Sequence, residues 1–179
     1  MSELLGRAVW ALAPYAPEAP FRLYPGPGER PPVIVGAVEP LRAALKAGGD
    51  PEVTVLTTTK LRPVLVVAVA TDTTYDPGLL VLRMLSFAKL NDTEQVEIRA
   101  GADPRYFHLL PGSFPDLPHE NAAIVSTLTR VAATAVEDNP LGKLNADELR
   151  VVHERIATYF QLDLGTMVKR LVTERTQNP

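Results

Sequence analysis

The stretch "KLRPVLVVA" (residues 60–68) decides the fold, because it opens a run of apolar residues that continues to Ala70. A short strand that is apolar on both faces is typical of a central strand in a sheet. Proline is tolerated at the first residue of a strand, where its missing N–H removes no ladder hydrogen bond. The pattern therefore predicts a strand over residues 63–70 that starts at Pro63. Arg62 then lies at the rim of the sheet, where a guanidinium suits either a salt bridge or the binding of an anion.

Segments with strand character lie on both sides of this run. They are "GRAVWAL" (6–12), "VIVGAV" (33–38), "EVTVLTTT" (52–59), "LLVLRMLSF" (79–87) and "EQVEIRA" (94–100). In the last of these, Val96 and Ile98 alternate with charged residues. Residues 121–137 are rich in threonine and valine, which also favours a strand, with a bulge or break near Ser126. We expect residues 63–70, 79–86 and 94–99 to be antiparallel neighbours in one curved sheet.

The clearest helical pattern is "NADELRVVHERIATYFQLDLG" (145–165). Asn145 and Glu148 have the spacing of a capping box, and an apolar stripe follows at helical intervals. This pattern predicts a helix over residues 146–163, which Gly165 can end. Further expectations are a helix over 39–49, proline-rich loops over 13–32 and 109–120, a turn over 72–78, and a short helix in the final segment.

The order of these elements, many short strands and then a helix, predicts a mainly β (α+β) fold. Its core would be a small, curved antiparallel sheet or barrel, covered in part by the C-terminal helix. A chain of 179 residues, 46% of them hydrophobic and with a net charge of −3, is long and apolar enough to form one packed domain over 1–179, and its length also allows two small domains.

Composition also excludes several kinds of site and location. The chain has no cysteine, which excludes disulfides, thiolate catalysis and thiolate-bound zinc. We expect no membrane span and no signal peptide, and therefore a cytoplasmic location. The mildly acidic balance argues against a basic surface extending over the whole chain, although a local basic patch for nucleic acid stays possible.

The order of several sequence blocks resembles that of the MazF/PemK toxin family. The blocks are "GRAVWAL", "LRPVLVVA", "LLVLRMLSF", "EQVEI", "LPHENAAIVSTLTRVA" and "NPLGKLNADELRVVHERIATYFQLDL", over about residues 6–13 and 60–164. The resemblance implies an SH3-like barrel, a homodimer, and a toxin that cleaves single-stranded RNA without a metal or other cofactor. It also implies an antitoxin protein as a partner. One departure is the long segment over about residues 14–59, which we interpret as an insertion.

The resemblance also suggests catalytic residues. Arg62 would hold the scissile phosphate, and Ser86 would donate a hydrogen bond to a phosphate oxygen. The family usually has threonine at the second position, with a proline before it, and both are missing here. A second alignment is possible, in which Arg30 supplies the arginine and Thr57 or Thr58 supplies the hydroxyl.

Substrate contacts can be proposed for a histidine and an aromatic residue. The three histidines, His108, His119 and His153, are not spaced as metal ligands, so we expect no metal site. His119, in the loop "DLPHEN", is the best candidate among them for contact with RNA and for proton transfer. Tyr24, in the proline-rich segment, could stack on a base or anchor that segment to the core.

Two functions therefore stay open. The first is a metal-independent endoribonuclease that cleaves single-stranded RNA. The alternative is a non-catalytic binding module of the same SH3-like fold, in which the long segment holds a protein partner.

Overall fold

The computed structural model describes residues 2–14, 21–24, 33–35, 54–56, 59–70, 78–117, 119–137 and 139–163. For residues 21–24, 33–35 and 54–56 only the backbone is described. The predicted helix over 39–49, the turn over 72–77, the final short helix and Gly165 lie outside these ranges, as do Arg30, Thr57 and Thr58.

Contacts divide the chain into two compact units, Met1–Leu12 with Leu61–Pro179, and Ala13–Lys60. The second unit contains a three-stranded sheet of β2 (Phe21–Tyr24), β3 (Val33–Val35) and β4 (Thr54–Leu56), with β2 in the middle and antiparallel to both neighbours. Strand β2 lies in the segment that we expected to be loop or extended chain, whereas β3 and β4 lie within predicted strands. The organisation as a single domain with an insertion stays a prediction.

A six-stranded sheet forms the centre of the first unit, together with one long and one short α-helix. Its strands are β1 (Arg7–Pro14), β5 (Thr59–Ala70), β6 (Gly78–Ser86), β7 (Tyr106–Leu109), β8 (Asn121–Ala132) and β9 (Gly142–Lys143), and its helices are α1 (Asp92–Arg99) and α2 (Ala146–Tyr159). The strand order is β7-β8-β6-β5-β1-β9. The predicted fold class, a curved and mainly antiparallel β-sheet with a C-terminal helix, is confirmed.

Strand β5 is an inner strand whose two faces are both buried, as predicted. Val64, Leu65, Val66 and Val67 are at most 2% exposed. The predicted start of this strand was wrong, because β5 begins at Thr59 rather than at Pro63. The β5–β6 ladder begins only at the pair Val64↔Arg83, so the missing N–H of Pro63 falls outside that ladder.

A bulge in β5 attaches the C-terminal helix to the sheet. The register of the β5–β6 ladder shifts between Val66 and Ala68. The carbonyl oxygen of Val67 lies 2.7 Å from Nε2 of His153 on α2. A carbonyl can only accept a hydrogen bond, so this imidazole nitrogen carries the proton. The side chains of Val152 and Ile156, on the same helix, lie in the hydrophobic core.

Helix α2 begins as the sequence predicts and ends earlier. Asn145 accepts a hydrogen bond from the backbone of Glu148, and the Glu148 carboxylate accepts one from the backbone of Asn145, which forms the predicted capping box. The helix ends at Tyr159, and Gln161 has a φ of 54°, which an α-helix does not allow.

The prediction of a strand over residues 94–99 was wrong, because this segment belongs to helix α1. Asn91 and Glu94 form a second capping box at its start. The apparent alternation of apolar residues is misleading: Ile98 is 2% exposed, whereas Val96 is 63% exposed. Residues 63–70 and 79–86 are antiparallel neighbours as predicted, but the other neighbour of β6 is β8. The far edge of β8 pairs with β7, Tyr106–Leu109 with Asn121–Ile124, and β7 is a strand that we did not predict.

The predicted irregularity near Ser126 in β8 is confirmed. Val81 pairs with Thr129 and Arg83 pairs with Ile124, so β8 has extra residues between these two pairs. The hydroxyl of Thr127 fills this bulge: it accepts a hydrogen bond from the backbone N–H of Arg83 at 2.9 Å and donates one to the Ile124 carbonyl at 2.7 Å. Within the described ranges, no helix is long and apolar enough to cross a membrane.

Gly142, at the start of β9, has a structural role that can be tested. Gly142 has a φ of 150°, and a Cβ atom there would lie 2.6 Å from Cα of Phe114 and even closer to the Ser113 carbonyl. We expect Gly142→Ala to lower the free energy of unfolding in urea by about 2 kcal/mol or more, from strain and overlap together. Gly112→Ala is the matched control, because a Cβ atom there meets nothing within 4 Å. Equal effects of the two substitutions would contradict the close approach at Gly142.

Candidate active site

The structure brings Arg62 and Ser86 to the same end of the six-stranded sheet. Strands β5 and β6 are antiparallel neighbours, so the start of β5 lies beside the end of β6. Arg62 is two residues before Val64, and Ser86 is three residues after Arg83, where Val64↔Arg83 is the terminal pair of the ladder. The two candidates for catalysis are therefore close along the strand direction.

Their side chains do not share a face of the sheet. Side chains alternate along a strand, so Arg62 lies on the face of Val64 and Val66. By the same alternation, Ser86 lies on the face of Leu82 and Met84, which belong to the main core. Both side chains are half-buried. A phosphate at this end of the sheet would meet Arg62 from one face and Ser86 from the other.

The Ser86 hydroxyl caps a short 3-10 helix, Phe87–Lys89. Its oxygen accepts a hydrogen bond from the backbone N–H of Ala88 at 3.3 Å. A hydroxyl group has one donor and two acceptor sites, so this contact does not use its proton. Ser86 therefore keeps the capacity to donate to a phosphate oxygen.

His119 lies at the same end of the sheet as Ser86. It is exposed, and its carbonyl accepts a hydrogen bond from the side-chain amide of Asn121. Asn121 is the residue of β8 that pairs with Ser86. His119 and Ser86 therefore lie at the same end of the sheet. Tyr24 lies in β2 of the second unit, and its side chain is outside the described residues.

Sequence reasoning missed a cluster of polar and aromatic side chains at this end, which we call the Glu120 cluster: Arg99, Glu120, His108 and Phe87. The Glu120 carboxylate accepts two hydrogen bonds from the Arg99 guanidinium, at 2.8 Å and 2.5 Å. The same carboxylate lies 2.7 Å from Nε2 of His108. The Phe87 ring packs 5.3 Å from the His108 ring, and the Arg99 guanidinium lies 5.0 Å from the Phe87 centroid.

The electrostatics of this cluster keep Glu120 ionised. The hydrogen bonds from Arg99 are the largest influence and lower the pKa of Glu120; partial burial opposes them, and the contact with His108 adds to them. In return, Glu120 raises the pKa of Arg99. The carboxylate is therefore an acceptor for both partners near neutral pH.

The cluster escaped sequence reasoning because its four members come from four separate segments, and Phe87 belongs to the 3-10 helix after β6. Arg99 lies in the last turn of α1, which we predicted as a strand, and His108 lies in the unpredicted strand β7. Glu120 follows His119 in a proline-rich loop. The signal that could have placed Arg99 is the sequence "NDTE" (91–94), which has the same capping-box spacing as "NADE" (145–148).

The lowered pKa of Glu120 predicts a pH-dependent contribution to stability. This contribution is complete above the pKa that Glu120 has in the unfolded chain, and it is lost as the pH falls through the lower folded pKa. We expect Glu120→Gln to lower the free energy of unfolding by about 1–2 kcal/mol at pH 7, and the difference from wild type to shrink as the pH is lowered below about 4. Urea unfolding between pH 3 and 7 measures this.

The control is Glu97→Gln, which neutralises an exposed carboxylate on α1, the helix that carries Arg99. It should change stability by a few tenths of a kcal/mol at most. A Glu120→Gln effect that is constant over this pH range would contradict the ion pair as its source.

A comparison of the chain with models of known protein families finds no match, and a comparison with curated proteins finds none either. The resemblance to the MazF/PemK family therefore depends on the sequence blocks quoted above.

Proposed function

We propose that this chain is a metal-independent endoribonuclease of the MazF/PemK type that cleaves single-stranded RNA. The observation that carries the proposal is the arrangement of β5 and β6. The strand with the Arg-Pro sequence and the strand that ends in a hydroxyl residue are antiparallel neighbours, so Arg62 and Ser86 lie at one end of the sheet. His119 lies at that end as well, through Asn121.

The chemistry of such an enzyme needs three kinds of group. The ribose 2′-oxygen attacks the adjacent phosphorus, so the reaction requires a positioned RNA backbone, a path for protons and donors that stabilise charge on the phosphate oxygens. Arg62 is the proposed phosphate-binding cation, and Ser86 is a neutral donor. His119, and Tyr24 of the second unit, are proposed to contact the RNA.

Arg62 and Ser86 lie on opposite faces of the sheet, so an RNA strand that reaches both of them has to cross the ends of β5 and β6. A phosphodiester that crosses the end of β5 and β6 can receive the guanidinium from one face and the hydroxyl from the other. This differs from a pocket in which both groups approach from the same side. The alternative pair of Arg30 with Thr57 or Thr58 would become the candidate if Arg62 proved dispensable.

The second candidate function is a non-catalytic binding module of the same fold. The hydrogen bond that Ser86 makes as a helix cap favours it, because a cap is a sufficient structural reason for a hydroxyl residue at this position. In that case the second unit, Ala13–Lys60, would provide the surface for a protein partner.

Two protein partners are proposed for the enzyme, a second copy of the chain and an antitoxin. By its resemblance to the family it would act as a homodimer in the cytoplasm, and an antitoxin protein would neutralise it by covering the RNA-binding end of the sheet.

The first test of function is substitution of Arg62. We expect Arg62→Ala to lower the cleavage rate of a pool of unstructured RNA by about 10²–10³-fold, because a positioned charge is lost from the transition state. Arg62→Lys should restore only part of the rate, since an ammonium lacks the two-pronged geometry of guanidinium. Cleavage should persist in EDTA and leave a cyclic phosphate end.

Controls separate catalysis from folding. Arg150→Ala removes an exposed arginine from α2 and should leave the rate unchanged. Circular dichroism verifies that each variant is folded.

Ser86→Ala should reduce the rate less than Arg62→Ala does, and Ser86→Thr should retain it, because threonine keeps both the cap and the donor. An Arg62→Ala variant that is folded and fully active would refute the role of Arg62, whereas wild-type protein that cleaves no RNA in the pool would favour the binding module.

The proposed homodimer is tested separately. Several large apolar side chains are exposed in the described residues, among them Leu110, Phe160 and Leu162, at 41–52%. The homodimer itself follows from the family resemblance, and exposed apolar side chains such as these are the ones that an interface between two copies could cover. We expect light scattering at micromolar concentration to give the mass of a dimer, about twice 19.5 kDa. A monomer mass over this concentration range would contradict the prediction.

A further inference from the structure

His108 is held in one orientation by contacts on two sides of its ring. It lies on β7, half-buried, with Nε2 2.7 Å from Oε1 of Glu120. The ring of Phe87 packs against it at a centroid distance of 5.3 Å and an interplanar angle of 35°. Phe87 is itself 3% exposed and belongs to a small core with Ile98 and Ala122. The imidazole therefore has little freedom to rotate.

The hydrogen bond to Glu120 decides which nitrogen of His108 carries the proton. Arg99 donates two hydrogen bonds to the same carboxylate, which is ionised and has no proton to give. Nε2 of His108 must therefore be the donor. In the neutral imidazole, Nδ1 then has the free lone pair and is the atom that can accept a proton.

The position of His108 in the sheet relates it to Arg62. The pairs Val64↔Arg83, Arg83↔Ile124 and Ile124↔Tyr106 form one row across four strands. Arg62 lies two residues before Val64, and His108 lies two residues after Tyr106. Both side chains are thus on the same face and at the same end of the sheet, with their backbones about 14 Å apart at three strand spacings of about 4.8 Å.

We propose that His108 is the general base of the RNA cleavage, acting through Nδ1, and that Glu120 and Arg99 are positioning residues that hold its Nε2–H tautomer. This inference rests on the proposed function. Sequence reasoning favoured the exposed His119 for proton transfer, and the inference assigns that role to the held imidazole of His108 instead.

The step that His108 would catalyse is balanced as follows. Nδ1 takes the proton of the ribose 2′-hydroxyl, and the 2′-oxygen forms a bond to phosphorus. The bond between phosphorus and the 5′-oxygen of the next nucleotide breaks, and that oxygen takes a proton from water. The products are a 2′,3′-cyclic phosphate and a 5′-hydroxyl, and His108 then returns its proton to the solvent.

Contacts link two charged groups to His108, and a third charged group lies on an element that packs against it. Glu120, from the segment before β8, contacts it directly, and Arg99, from α1, contacts it through Glu120. Lys89 lies in the 3-10 helix that carries Phe87 and is exposed. The charges of these groups influence the protonation of His108, and with it the pH dependence of the cleavage rate.

The first experiment measures the tautomer without any need for activity. In full-length protein labelled with ¹⁵N-histidine, the NMR chemical shifts of the neutral His108 imidazole should show a protonated Nε2 and an unprotonated Nδ1. Glu120→Gln should weaken this preference, because a glutamine side chain can donate as well as accept. A protonated Nδ1 in the wild-type protein would overturn the proposal.

The second experiment measures catalysis. We expect His108→Ala to lower kcat by about 10²-fold or more, with KM little changed, and to abolish the rising limb of the pH–rate profile. Added imidazole should restore part of the lost activity of His108→Ala, which a purely structural role would not allow. Glu120→Gln should lower kcat by a smaller factor, and Glu97→Gln, on the exposed side of α1, should have no effect.

The outcomes distinguish this inference from the proposed function. If the wild type cleaves RNA and folded His108→Ala cleaves it at the same rate and with the same pH profile, the role of His108 is refuted while the ribonuclease stands. If the wild type cleaves no RNA, the ribonuclease and the general base are both refuted, whatever the tautomer.

Discussion

The burial of β5 on both faces is the constraint on which the rest of the first unit depends. A strand with no solvent-facing side must have neighbours along both edges and apolar layers on both faces, and β5 has β1 and β6 at its edges. Its backbone also supports other elements: the Val66 carbonyl accepts a hydrogen bond from Gly6 before β1, and the Val67 carbonyl accepts one from His153 on α2. The hydrogen bond at the bulge thus fixes the position of the C-terminal helix along the direction of β5.

At the end of the sheet where Arg62 and Ser86 lie, charged side chains replace apolar contacts as the links between elements. Glu120 joins α1 through Arg99 and β7 through His108, and its backbone carbonyl accepts a hydrogen bond from Phe87. Arg155 of α2 has a similar role at the opposite end of β7, where it donates to the carbonyl of Tyr106 at 2.5 Å. Hydrogen bonds to charged groups contribute about 1.5–3 kcal/mol each and depend on direction, so this end is held in a more specific geometry than the apolar centre.

The parts of the fold that could be predicted are those specified by local chemistry. The Asn145–Glu148 capping box, the β-branched run of β5 and the break near Ser126 are each determined within a few residues, and each was found. The wrong prediction of a strand over 94–99 also has a local cause. Over six residues, an alternation of two apolar side chains does not distinguish a strand from a helix with one buried position, and the capping box at Asn91 was the better indicator.

The candidate site was only partly accessible from the sequence, because its geometry depends on the register between strands. The family resemblance suggested that Arg62 and Ser86 lie near each other, but their opposite faces follow from the number of residues between each of them and the pair Val64↔Arg83. Bulges make such counting unreliable, since each extra residue in a strand exchanges the two faces beyond it.

Glu120 and His108 meet because β7 pairs with β8 in a register that places His108 opposite Ala122, two residues after Glu120. A single-residue slip of β7 would turn the imidazole toward the core and leave Glu120 with Arg99 alone. The hydrogen bond that selects the tautomer of His108 is therefore a consequence of strand pairing, and no local sequence motif encodes it.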